Sequence, residues 1–190
     1  MRKLSLNQEI KLLKSLKNAK ILDNGSSRIV FVNPENADEV VKVAVGTAAL
    51  RQNTLEVSNF KNFSDWGILA EITAYGRFCV VMERMRYCYD WEDDEEGVAE
   101  IADELEKING STSDNYQVGL TKNGEMKAYD YGFETRVSHK GQRGCFFYCG
   151  WADAIDGRRQ IRRYLNTAIS LLREKRPLNQ IEKRFGHKGR

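Results

Sequence analysis

Two prolines, four cysteines and no apolar run near the ~20 residues of a membrane span set the first limits on this 190-residue chain. So little proline, beside 41% hydrophobic and 30% charged residues, excludes collagen-like and disordered compositions and leaves a globular protein. The longest apolar stretches, 78–82 and 43–50, are too short to cross a bilayer. The opening stretch, MRKLSLNQEIKLLKSLK, threads lysines through its apolar positions and has no cleavage site. It reads as an amphipathic helix rather than a signal peptide, so a cytoplasmic location and no membrane partner are expected. Of the cysteines, only Cys145 and Cys149 lie close together, in CFFYC, a loose spacing for zinc. Buried, reduced thiols are the expectation for all four.

A strong charge of either sign is also missing, since the formal net charge is +3. Its distribution is nonetheless uneven. Acidic residues gather at 90–96, whereas Arg158, Arg159, Arg162, Arg163, Arg173, Lys175, Arg176, Lys183, Arg184, Lys188 and Arg190 meet only Asp156, Glu174 and Glu182. That region reads either as a solvated helix surface or as a phosphate-binding face.

What is present is a sequence of alternating periods within a length suited to one compact body. Ser5 and Gln8 form a capping-box pattern ahead of Leu6, Ile10, Leu13 and Leu16, which predicts a bracing helix to about Asn18. From Lys20 two β-branched runs flank the turn-rich NPENAD. TAALRQNTLEVSNFKNF then returns to helical spacing through Leu50, Leu55 and Phe60, and strands are expected over 68–75 and 77–83 about a turn at Gly76. Beyond the acidic loop, Val98, Ile101, Ala102, Leu105 and Ile108 predict a helix stopped by Asn109 and Gly110. VGLT and MKAYDYG pair about Lys122, Asn123 and Gly124, and a last helix runs over 155–175 before Pro177.

Four chemical signals occur in order along these elements. The turn at Gly25, Ser26 and Ser27 offers small residues and backbone amides, though Asn-Gly also marks ordinary hairpins. Lys42 lies in the apolar strand EVVKVA, where its ammonium needs either a partner or a wet sheet face. Glu56, on the next helix, is the natural partner. Finally Asp130-Tyr131-Gly132 puts a carboxylate directly after an apolar strand.

In this order the signals resemble the protein-kinase fold, and in particular the short kinase-like proteins of bacteria and their phages, over about residues 21–134. The resemblance implies an α+β fold: a bracing helix at 1–19, a small antiparallel N-lobe sheet with one helix at 20–85, and a reduced, mainly helical C-lobe at 86–190. It implies ATP with Mg2+ or Mn2+. Gly25, Ser26 and Ser27 would cover the phosphates, Lys42 and Glu56 would orient them, main-chain groups of Glu83 to Met85 would hold the base behind Met82, and Asp130 would carry the metal.

The catalytic loop departs from the pattern. Gln117 stands where the second metal-binding residue is expected and Thr112 where the catalytic aspartate is expected. Asp114 and Asn115 are the substitutes in that loop, as a catalytic pair or as turn residues. Three functions stay open: an atypical phosphotransferase acting on a protein hydroxyl through Asp114, Lys42 and Asp130; an inactive kinase-fold interaction protein, such as a phage inhibitor of a host system; and a nucleic-acid binder using the basic last helix.

Overall fold

The computed structural model describes residues 1–24, 28–89, 96–109, 117–131 and 155–174. Ser5 starts the first helix, α1 (Leu6–Ser15), through the predicted reciprocal cap: its hydroxyl accepts from the Gln8 amide at 3.3 Å and its own amide donates to Gln8 Oε1 at 2.9 Å. A 3-10 turn, Leu16–Asn18, carries the chain into β2 (Ile21–Asn24), β3 (Arg28–Val32) and β4 (Glu39–Ala44). Helix α2 (Thr47–Phe63) follows, then β5 (Ile72–Tyr75) and β6 (Cys79–Glu83). With the unforeseen β1 (Arg2–Lys3), these strands form one sheet in the order β1-β5-β6-β4-β3-β2, antiparallel except for β1 against β5.

The remaining strands, β7 (Tyr87–Cys88), β8 (Gln117–Leu120) and β9 (Met126–Asp130), make a second antiparallel sheet, against which α3 (Glu96–Asn109) packs. Gly124 closes the β8–β9 turn at φ 80°, a left-handed geometry that glycine adopts at little cost. The two sheets are joined in main chain. Ala70 donates to Ala128 O and Ala128 donates to Ile68 O, both at 2.8 Å.

Strand alternation divides the core in two. Ile29, Phe31, Val41, Val43, Cys79 and Val81 face one side of the large sheet, where Leu13 and Leu16 of the N-terminal segment meet Ile161, Leu165, Ala168 and Leu172. Those last four belong to α4 (Ile155–Arg173), which packs against α1 and its following turn. The sequence grouped this helix with the second lobe; its apolar stripe instead covers the outer face of the first sheet. Val40, Val80 and Met82 face the opposite side, with Val57 of α2, Leu105 of α3, and Val118, Ala128 and Tyr131 from the second sheet. The candidate site lies on this side.

Several local expectations change. The stripe α2 buries is Ala49, Leu50, Asn53, Glu56 and Val57, with Leu55 only half-buried, because the helix turns its glutamate toward the sheet. Both strands around Gly76 are shorter than expected: the first begins only at Ile72 because 68–70 bond to Ala128 instead, and the second begins at Cys79 because the Gly76 amide donates to Cys79 O in a tight turn that a buried acid seals. That acid is Glu9 of α1, whose Oε1 accepts from the Phe78 amide at 2.6 Å and lies 3.6 Å from Cys79 Sγ. Burial beside this carboxylate pushes the Cys79 thiol pKa well up and keeps it protonated. Cys79 fulfils the buried-thiol expectation, whereas Cys88 is exposed at the end of β7; Cys145 and Cys149 lie outside the described residues.

Candidate functional site

Lys42 is buried, not solvent-facing, because alternation along β4 sends Val41 and Val43 to the outer core and Lys42 to the side of α2. Its Nζ donates to Glu56 Oε1 at 2.8 Å and to the main-chain oxygen of Tyr129, the residue before Asp130. Glu56 is fully buried. The strand lysine, the helix glutamate and the end of the late hairpin therefore meet at one place.

The second cation there was not anticipated. Arg28 opens β3 with Val30 on its own face, and Val30 pairs with Lys42, so the two basic side chains point the same way about one strand position apart. Arg28 Nη1 donates to Glu56 Oε2 at 2.7 Å and Nη2 to Asp130 Oδ1 at 2.6 Å. Gln52 Nε2, one helical turn before Glu56, reaches the same Asp130 oxygen at 3.3 Å. The result is a neutral set of two cations and two anions, in which Asp130 is the most exposed side chain at 17% and the other three lie at 6% or less.

Electrostatics follow from that closure. Burial works against the Arg28 charge, but Glu56 and Asp130 outweigh it and hold the guanidinium above its ordinary pKa. For Lys42 burial wins, aided by the nearby Arg28 and opposed by Glu56, so the ammonium titrates below a usual lysine. Burial raises the Asp130 pKa; Lys42 and Arg28 more than compensate, and the carboxyl is held below its usual range.

The neighbouring residue is fixed just as firmly. Tyr131 is buried, its hydroxyl donates to Ala70 O at 2.8 Å, and its main-chain oxygen accepts from Asn59 Nδ2 at 2.7 Å. These bonds set the direction in which Asp130 leaves β9. Burial raises the Tyr131 pKa far above that of a free phenol, so it stays a donor.

The other expected residues divide into three groups. Gly25, Ser26, Ser27 and Asp114 lie outside the described residues, as do Gly132, Thr112 and Asn115. Gln117 begins β8 opposite Asp130 in register but is exposed. Glu83 ends β6, where its amide donates to Glu71 O at 2.8 Å and its carboxylate pairs with Lys127 of β9 at 3.4 Å. Met85 packs beside Gly119, where an added Cβ would lie 2.8 Å from Met85 Cγ and 2.5 Å from Tyr87 O. Among the described residues, the Met85 amide has no main-chain acceptor.

A divalent ion does not fit this donor set as it stands. Such an ion on Asp130 Oδ1 would share that oxygen with a guanidinium already at 2.6 Å. Gln117 would supply only a neutral amide. Among the described residues, no three His, Cys, Asp or Glu side chains form a metal-binding group. Arg28 thus neutralises the Oδ1 side of Asp130 with its own charge.

No family model matches the chain, and no curated protein matches it. Among solved structures it is similar to the pseudokinase DRIK1 (drought responsive inactive kinase 1) in a co-crystal with ENMD-2076. Identity is 13%, over 96% of this chain and 94% of that one, with a TM-score of 0.47.

Proposed function

We propose that the chain is a protein-kinase-like protein that does not transfer phosphoryl groups. The carrying observation is the Arg28–Asp130 ion pair at 2.6 Å. In kinases the strand lysine, helix glutamate and hairpin aspartate are held ready for nucleotide phosphates and metal. Here the same three residue types meet, but an arginine of the chain itself neutralises the aspartate. Metal-dependent transfer would require Arg28 to leave a buried pair and abandon Glu56 as well, a loss of about 3–5 kcal/mol.

The test is incubation with labelled ATP and Mg2+ or Mn2+. No label should enter the chain or added lysate proteins beyond the level seen with Asp130→Asn. Incorporation by the wild type that Asp130→Asn abolishes would restore the phosphotransferase, with Asp114 as the residue to test next.

A second reading, nucleotide binding without turnover, is favoured by the intact Lys42–Glu56 pair and by the Met85 amide, which has no main-chain acceptor among the described residues. ATP would then raise the melting temperature equally with Mg2+ or with EDTA, since a ligand bound only to the folded state must stabilise it. Stabilisation that requires Mg2+ or Mn2+ would point back to a metal-dependent cleft.

A further inference from the structure

We propose that α1 and α4 together form a phosphate-tracking face that binds the backbone of a nucleic-acid duplex, on the side of the first sheet opposite the Lys42–Asp130 cleft. Two segments some 140 positions apart in sequence are brought side by side by packing. Arg162 of α4 donates from Nη2 to Asn18 Oδ1 at 2.9 Å and from Nε to Lys17 O at 3.3 Å, which seats the α4 arginines at the C-terminal end of α1. Around this junction Arg158, Arg159, Arg162 and Arg163 are all exposed, as is Lys14, with Lys17 half-buried. None of these six side chains forms an ion pair among the described residues.

The pattern is costly unless it is used. Arg158 with Arg162, and Arg159 with Arg163, are like charges one turn apart on an exposed helix face, and each pair repels. A face kept only for solubility would mix both signs. Four arginines within about 7.5 Å of helix axis match the roughly four phosphates a duplex presents over that length. The guanidinium fork also suits phosphate oxygens better than an ammonium.

The buried stripes select the partner. A membrane-surface helix keeps an apolar face for the lipid. In α1 and α4 those faces, Leu13, Leu16, Ile161, Leu165 and Leu172, are already spent in the protein core. What remains outside at the Arg162–Asn18 junction is charge, since Leu6, the exposed apolar residue of α1, lies at the other end of that helix, and such a surface fits a sugar-phosphate backbone.

The experiment titrates the full chain into a labelled duplex, with anionic phosphatidylserine vesicles as the competing surface. Affinity should fall with a log–log salt slope of about −3 to −4 if four phosphates are neutralised, or roughly a hundredfold between about 50 and 200 mM salt. The triple variant Arg158→Glu, Arg159→Glu, Arg163→Glu should weaken binding more than tenfold, while Lys107→Glu on α3 should leave it unchanged. Should the triple variant fail to fold, Lys14→Glu with Lys17→Glu must reduce both affinity and slope. No duplex binding at low salt, a slope near zero, equal affinity in the charge-reversed variant, or tighter binding to vesicles than to duplex would each overturn the assignment.

Discussion

Arg28 decides the character of the cleft. Replacing it with Met keeps the aliphatic volume but leaves Glu56 and Asp130 short of a cation in a buried setting, so stability should fall by about 3–5 kcal/mol in denaturant melts. The complete pair is weaker evidence of stability than its removal implies, because burying the charges already costs desolvation energy. Arg28→Met with Asp130→Asn should therefore recover part of the loss, and a strictly additive double mutant would show that the two do not interact. Acid adds a second prediction. Since the folded state holds Asp130 below its ordinary pKa, the associated stability is present above the unfolded carboxylate value and lost as pH falls through the folded value. Melts taken from neutral to acidic pH should show a shallower acid limb for Asp130→Asn than for the wild type. An exposed counterpart sharpens the contrast. Asp38 pairs with Lys122 at 3.1 Å and with Arg86, and its carboxyl pKa is lowered mainly by the Lys122 hydrogen bond. In that exposed setting Asp38→Asn should leave the melting midpoint nearly unmoved.

Among the elements, α1 is held by more than its apolar stripe. Glu9 reaches into the β5–β6 turn, and a Cβ on Gly76 would lie 2.3 Å from its carboxyl carbon. Gly76→Ala must push the Glu9 carboxylate away from the Phe78 amide. The expected cost is about 1–3 kcal/mol for a buried donor left without its acceptor. Because Glu9→Ala strips the acceptor from the same amide, adding Gly76→Ala to it should cost little more, and fully additive losses would show that the cost of Gly76→Ala does not run through Glu9. Helices α1 and α3 are legible in the sequence because an apolar stripe marks each, started in α1 by the Ser5–Gln8 capping box and stopped in α3 at Asn109. Helix α2 was legible as a helix, yet its buried face was misjudged, since a hydrophobicity pattern cannot weigh a buried glutamate matched by two cations. Arg28 was missed for a related reason. It follows directly on the Gly25–Ser27 turn, and only the 28↔44 and 30↔42 register of the β3–β4 hairpin sets it on the face of Lys42. Counting that register back from NPENAD was the available signal.

At the scale of the whole molecule, the two sheets are tied across the cleft by main-chain bonds between 68–70 and Ala128, by the Lys127–Glu83 pair and by the buried charges. A protein so closed should show no metal-dependent stabilisation by nucleotide, which a thermal-shift series with ATP, Mg2+ and EDTA measures directly. The α1–α4 face is separated from that cleft by the thickness of the first sheet. Charge reversal at Arg158, Arg159 and Arg163 should therefore leave any nucleotide-induced shift unaltered while weakening duplex binding more than tenfold.

The order of chemical residues along the chain, the helical and strand periods, and the lysine–glutamate pairing were all determined by the amino-acid sequence, because each depends on local spacing or on the demand of a buried charge for a partner. Which face of the sheet α4 covers, and which cation meets Asp130, depended on packing between segments far apart in the chain. Local periodicity carries no information about such distances. Strand register and helix docking supply it, and here they bring Arg28 to Asp130 as a buried ion pair.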